Sequence, residues 1–213
     1  MAGKNNGFAN GEELSTKEKV FEVALDLFAQ KGYDAVSMRE IAEAVGIKKA
    51  SLYSHFSSKD DLMEQIFRYP MIQLESIGPS REDAEKMIVA MGVDGFMAMS
   101  DNVFKQWITA PRMEKVWRIM FIELYHDEKL KRFYDKFTGD TLAFWEYNFR
   151  TMQKHKLIKR LEPEVLAREY LAFYLYAFLD YFIADYGKAG SFLEAEGKIL
   201  EGHTAFLVKS IKV

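Results

Sequence analysis

The chain of 213 residues contains no cysteine. Disulfides and thiolate-held metals are thereby excluded. Proline is scarce, at 4 residues, so few helices meet an internal breaker. The 4 histidines (His55, His126, His155 and His203) stand far apart, with no His-x-x-x-His pair. His126, Asp127 and Glu128 are sequence neighbours, which on a helix do not face one another. They read as a solvated helix start rather than a metal site. No glycine-rich phosphate loop and no Gly-x-Ser-x-Gly elbow occurs. Carboxylates interleave with lysines, as in residues 128–132, the pattern of an exposed helix face. An enzyme is not expected, nor any cofactor or metal. The longest uninterrupted apolar run, residues 171–179, is well short of the ~18 residues that cross a bilayer. The expectation is a cytoplasmic protein with no membrane partner. The net charge of −3 argues against nucleic-acid binding over the whole surface. It leaves room for a local basic patch.

What is present points to helices. Apolar residues make up 49% of the chain, ample for a core, and they recur at helical spacing over long stretches. The polar, glycine-containing start, residues 1–14, reads as a disordered arm. Ser15 with Glu18 forms a capping-box pattern, and Val20, Phe21, Ala24, Leu25, Leu27 and Phe28 follow as a helical stripe. Gly32 sits where a left-handed cap would end that helix. Ser37 with Glu40 repeats the box ahead of Ile41, Ala42 and Val45. Gly46 supplies the positive φ of a sharp turn. Ile47 and Leu52 can then hold a third helix across the second. A fourth helix is predicted from Ser58, ending near Pro70, with a connector through residues 77–80.

Residues 37–56 therefore read as two short helices joined by a tight turn, the layout that sets one helix in the major groove of DNA. Lys48, Lys49, Ser51, Tyr53 and Ser54 are predicted on the exposed side of the third helix. Lysines neutralise phosphates and donate to guanine edges, and hydroxyls donate to phosphate oxygens. Ser37, Arg39 and Lys59 are candidates for a flanking phosphate clamp, and His55 is included as a neighbour of the reading face. Acidic residues nearly cancel Lys and Arg over residues 15–68. A helical small-molecule or protein-binding module without DNA binding is thus the alternative.

The segment resembles the TetR family of transcriptional regulators at several points together: Ala24-x-x-Leu27-Phe28-x-x-x-Gly32-Tyr33, then Ser37-Met38-x-x-Ile41-Ala42-x-x-Val45-Gly46-Ile47, then Leu52-Tyr53-x-x-Phe56-x-x-Lys59-x-x-Leu62. The likeness covers about the first third of the chain. It implies that Tyr53 and Lys59 contact phosphates and that residues 48–54 face bases. Ala50 stands where family members often have Gly, and His55 where an aromatic is more usual. The implied fold is all-α, with an amino-terminal three-helix helix-turn-helix DNA-binding domain (15–68) before a larger helical ligand-binding and dimerisation domain (69–213). The implied function is a ligand-responsive regulator, a repressor, that binds a palindromic double-stranded DNA operator as a homodimer and is released by a small apolar or aromatic effector.

In the second domain, helices are predicted over residues 81–109, 111–125, 128–155, 163–186 and 191–211, with Gly187 and Gly190 bracketing a turn. Residues 163–186 are apolar on most of the helix circumference, which calls for burial on more than one face. Tyr170, Phe173, Ala177 and Tyr181 on that helix, with Leu193, Leu200 and Leu207 at heptad spacing on the last, are the predicted dimer interface. Ala195 and Gly202 would permit close approach. Methionines and aromatics suit a pocket for an apolar ligand. Its predicted lining is Met91, Phe96, Met99, Phe104, Trp107, Trp117, Met120, Phe121, Trp145, Phe149 and Tyr174.

Overall fold

The computed structural model describes residues 14–125, 128–184 and 190–213. The expected arm (save Leu14), His126, Asp127 and the Gly187 turn lie outside the described residues. The described chain is helical throughout, apart from one isolated β-bridge between Ile158 and Lys212. It divides into two compact units, Met1–Met63 and Glu64–Val213. That division and the expected boundary at 68/69 both fall within the fourth helix.

The first unit starts with α1 (Thr16–Lys31), opened by a complete Ser15/Glu18 capping box and closed by Gly32, which at φ 79°, ψ 164° is extended in ψ rather than in the expected left-handed helical cap. Helix α2 (Met38–Val45) is capped by Ser37, whose Oγ accepts from the Glu40 amide at 3.1 Å. The predicted second box is only half made, because the Glu40 carboxylate accepts from Lys31 Nζ at 2.6 Å instead of reaching back. Gly46 then adopts the left-handed conformation (φ 78°, ψ 29°), and its amide bonds back to Ala42 and Glu43. Helix α3 (Lys49–His55) follows. Leu25, Phe28, Ile41, Leu52 and Leu62 are fully buried. Each contributes about 1.5–3 kcal/mol by leaving water. Leu52 is the residue that presses α3 inward.

Helix α4 (Lys59–Ile77) runs straight through Pro70, contrary to the predicted stop. Proline removes one helical hydrogen bond and crowds the preceding turn. Here tertiary contacts compensate: Trp107 Nε1 donates to the Pro70 carbonyl at 2.8 Å, and the Tyr69 hydroxyl donates to that of Pro111 at 2.6 Å.

The second unit continues with α5 (Arg81–Ile108), α6 (Met113–Glu123), α7 (Glu128–Lys154), α8 (Pro163–Leu179) and α9 (Phe192–Ile211). A π-helical turn, Asp180–Ala184, extends α8. Helix α7 packs on α5 and α8, and α9 packs on the same pair. Within α5, Gly92 breaks the helix at φ 67°, ψ −173°, a conformation all but closed to other residues. By length and composition α5 is apolar enough to cross a membrane. In this fold it is a packed helix whose Asp94 pairs with Lys212. An exposed cluster ties α5 to α7: Lys154 and the Tyr147 hydroxyl both donate to Glu85 at 2.9 Å. Lys154, then Tyr147 and His155, hold the Glu85 carboxyl at about 2, below its usual 4.5. That contribution to stability is complete above the usual value and is lost as pH falls through about 2.

Aromatic rings fill the interior. Trp117 meets Trp107 edge-on at 5.5 Å and Phe178 at 5.0 Å, and Phe182 stacks on Phe192 at 5.8 Å. One polar side chain is misplaced in this setting. Asn148 is wholly buried, and neither amide atom has a hydrogen-bond partner among the described residues. Leaving such a group unpaired costs about 1–3 kcal/mol. Asn148→Leu, similar in volume, is expected to stabilise the chain by about 1–2 kcal/mol. Scanning calorimetry should show a melting temperature about 2–8 °C higher. A lower melting temperature would contradict this reading of Asn148.

Candidate nucleic-acid interface and interior cleft

The α2–turn–α3 unit presents one polar edge. Lys48, Lys49, Ser51, Tyr53 and Ser54 are all exposed, and His55 is half-buried. Tyr53 is 42% exposed although it neighbours fully buried Leu52, as one helical step around the axis requires. Lys49 Nζ lies 5.7 Å from the centre of the Tyr53 ring, so charge and phenol share one patch. Ser54 Oγ donates to the Ser51 carbonyl at 2.7 Å, which leaves its lone pairs outward. Ser37 is exposed at the start of α2.

Two predicted clamp residues are otherwise engaged. Arg39 Nε donates to Glu43 at 2.7 Å, an exposed pair four residues apart that screens its charge. Lys59 is corrected more firmly. Its Nζ donates to the carbonyls of Tyr33 and Val36, both at 2.8 Å, and sits 3.9 Å over the Tyr33 ring. The Tyr33 hydroxyl in turn donates to Asp60. The ammonium at the start of α4 thus ties down the loop between α1 and α2. In this geometry it is a strut within the fold, not a group presented to a phosphate.

The predicted pocket is also corrected. Phe96, Trp117, Met120 and Phe149 are fully buried, and Trp107 and Trp145 nearly so; Trp145 touches the rings of Phe96 and Phe149, and Trp107 that of Trp117. These side chains are placed as core, where apolar groups pack at high density. Met91 points to solvent at 43% exposure, beside the Gly92 break. Met99 and Phe121 are half-buried. Of the predicted lining, Phe104 and Tyr174 reach a cleft. That cleft is formed with Asp101, Lys105, Leu193, Gly197, Leu200 and Glu201, and has room for about one water molecule.

Sequence reasoning missed the polar network at this cleft. The Tyr174 hydroxyl donates to Asp101 Oδ1 at 3.2 Å, and Thr204 Oγ1 to the same oxygen at 3.1 Å. The Tyr170 and Tyr174 hydroxyls are 3.0 Å apart. Burial pushes the Asp101 carboxyl above its ordinary range, and it pushes the Tyr174 hydroxyl well above its own. His203 stacks flat on Phe173 at 4.1 Å. Burial lowers its pKa, and its Nε2 has no hydrogen-bond partner among the described residues. An acidic residue interrupting the apolar pattern of α5 was the available signal.

The predicted dimer face is rotated. Tyr170, Ala177, Tyr181, Leu200 and Leu207 are buried within the chain, Leu193 lines the cleft and Phe173 stacks on His203. The outward apolar residues are Val165, Tyr176, Leu179 and Ile183 on α8 and its π turn, and Ile199 and Phe206 on α9, each at least half exposed. Ala195 and Gly202 are exposed beside Ile199 and Phe206. The 176/183 and 199/206 pairs recur at the same heptad spacing as the inward residues, so spacing alone does not give the phase.

Known proteins share the amino-terminal part in sequence and the whole in fold. Residues 20–66 match the model of "Bacterial regulatory proteins, tetR family". The biofilm operon icaADBC HTH-type negative transcriptional regulator IcaR of Staphylococcus aureus (strain Newman) is 51% identical over 49 residues, 23% of this chain and 26% of the relative. The regulator of the same description from Staphylococcus epidermidis is 40% identical over 57 residues, covering 25% of this chain and 31% of the relative. The chain therefore spans between a quarter and a third of these curated relatives. Two solved structures align over nearly the full length. One is the SmeT–triclosan complex, with TM-score 0.68, 15% identity and coverage of 94% of this chain and 93% of the other. The second is a transcriptional regulator from Aquifex aeolicus VF5, with TM-score 0.66, 24% identity and coverage of 90% and 99%. At these identities the likeness is one of fold.

Proposed function

We propose that this chain, a member of the tetR family of bacterial regulatory proteins, is a homodimeric transcriptional repressor that reads a palindromic operator with α3 and releases it on binding an effector. The observation that carries this reading is the exposed Lys48–Lys49–Ser51–Tyr53–Ser54 edge, held outward by fully buried Leu52. A short helix so displayed, with cations and hydroxyls on one side, can enter a major groove. The description of IcaR as a negative regulator favours repression over activation.

The second copy is assigned to the outward apolar face of α8 and α9. Tyr176, Leu179, Ile199 and Phe206 lie on adjoining helices and would be buried by the same residues of a partner. A two-fold interface of this kind is self-complementary. A dimer brings two α3 helices to one operator, whose half-sites would lie about 34–36 Å apart, or a multiple of that spacing. Effector release is then a population shift: a ligand that prefers a dimer geometry unsuited to the operator lowers DNA affinity. The protein's place of work would be the cytoplasm, with the DNA.

Lys49→Ala tests the reading edge. On an operator recovered by selection, affinity should fall by about 1–3 kcal/mol and the salt slope by about one phosphate contact. Tyr53→Phe should produce a smaller loss. Unchanged affinity and slope in both variants would remove α3 from the interface.

A further inference from the structure

The cleft walled by α5, α8 and α9 has a definite chemical character. Its lining contains two carboxylates, Asp101 and Glu201, and one cation, Lys105. Lys105 Nζ is committed to Glu201 at 2.5 Å, and this pair stands partly exposed at the rim. Asp101 lies deeper. Both of its partners are neutral hydroxyls, and both donate to Oδ1. Its other oxygen accepts from no described side chain, and the residue, half-buried, lines the cleft. The aromatic walls are Phe104 and Tyr174, whose rings meet edge to face at 4.8 Å. Gly197 gives the floor its depth, since an added side chain there would project beside Leu193.

We propose that this cleft binds an organic cation with a flat aromatic body, its positive nitrogen seated on Asp101 Oδ2 against the Phe104 and Tyr174 rings. Ring faces are electron-rich and attract cations while repelling anions. The lining carries one net negative charge, so an anionic ligand would meet repulsion from both carboxylate and ring. A neutral ligand would leave the half-buried carboxylate with no countercharge but that of Lys105, which is already paired to Glu201. A cation supplies the missing countercharge, and the burial that raises the Asp101 pKa makes that compensation worth more. The ligand enlarges the cleft by parting the rim pair, because the closed cleft holds only about one water. That this cation acts as an effector rests on the repressor reading above; that it binds does not.

The test is titration of the full-length protein with benzyltrimethylammonium, its neutral carbon isostere neopentylbenzene, and phenylacetate. Tryptophan emission is the readout, since the Trp107 ring lies 6.0 Å from that of Phe104. The cation is expected to bind saturably and at least about tenfold more tightly than either comparison probe. Asp101→Asn keeps an oxygen for the Tyr174 and Thr204 hydroxyls but removes the charge. It should cut cation affinity by about tenfold or more and leave the neutral probe unchanged. Gly197→Val should abolish binding of both by filling the floor, which keeps the proposal testable if Asp101→Asn misfolds. Equal affinities for cation and isostere, undiminished cation binding in either variant, or no saturable binding at all would overturn it. A protein that binds the cation yet enriches no operator would retain this site and lose the repressor reading. One that enriches an operator but ignores the cation would do the reverse.

Discussion

Glutamate at positions 176 and 206 is expected to convert a dimer into monomers and weaken operator binding by about a hundredfold or more. Phe206 is 70% and Tyr176 57% exposed in the single chain, so neither substitution disturbs its own core. In the assembled dimer both would sit in an apolar seam. A carboxylate buried there without a partner costs several kcal/mol, and two-fold symmetry doubles every insertion. A lone subunit engages one half-site and forgoes the gain from linked binding. Sedimentation velocity should report a species of single-chain mass with an unchanged helical spectrum. Double substitution that leaves the dimer intact would place the interface elsewhere. The comparison change is Leu200→Ala, predicted from sequence at the dimer interface but buried within the chain. It should reduce stability by about 2–5 kcal/mol through cavity formation.

The next largest effect is expected at Lys59. Lys59→Met removes two charge-assisted hydrogen bonds to Tyr33 and Val36 and the cation over the Tyr33 ring. Such bonds contribute about 1.5–3 kcal/mol each when sheltered, and partial exposure reduces that, so a total near ~2 kcal/mol is expected. The loss should appear without DNA, as earlier melting of the amino-terminal unit in hydrogen exchange on the full chain. DNA binding would weaken in proportion. If Lys59 acts on phosphate alone, the DNA-free protein will melt as wild type and only the salt slope will fall.

The amino-terminal unit was largely legible because its signals are local. Ser15/Glu18 and Gly46 each dictate a backbone conformation from one or two residues, and Leu52 alone fixes which side of α3 faces out. What the sequence concealed was longer in range. Lys59 reaches carbonyls 26 and 23 residues earlier, and no spacing rule foretells such a strut. Pro70 was read as a stop because its anchor, Trp107, lies 37 residues on. On α8, apolar residues surround the whole helix, so periodicity shows that two faces are buried but not which one meets the same chain. The stripe through Tyr170, Ala177 and Tyr181 proved to be the inward one. Aromatic and methionine content suits a cavity wall and a packed core alike, and most of these residues lie in the core. The polar cleft depends on Asp101, Tyr174 and Thr204 meeting from three helices, a juxtaposition created only by packing.

The decisive measurement is selection of full-length protein on a library of random duplex DNA at moderate salt, followed by sequencing of the enriched pool. The account predicts an inverted repeat whose half-sites are centred one helical turn apart or a multiple of it, about 34–36 Å per turn. It also predicts that Lys49→Ala lowers the enrichment. A pool without an inverted repeat, or one that Lys49→Ala enriches equally well, would contradict it.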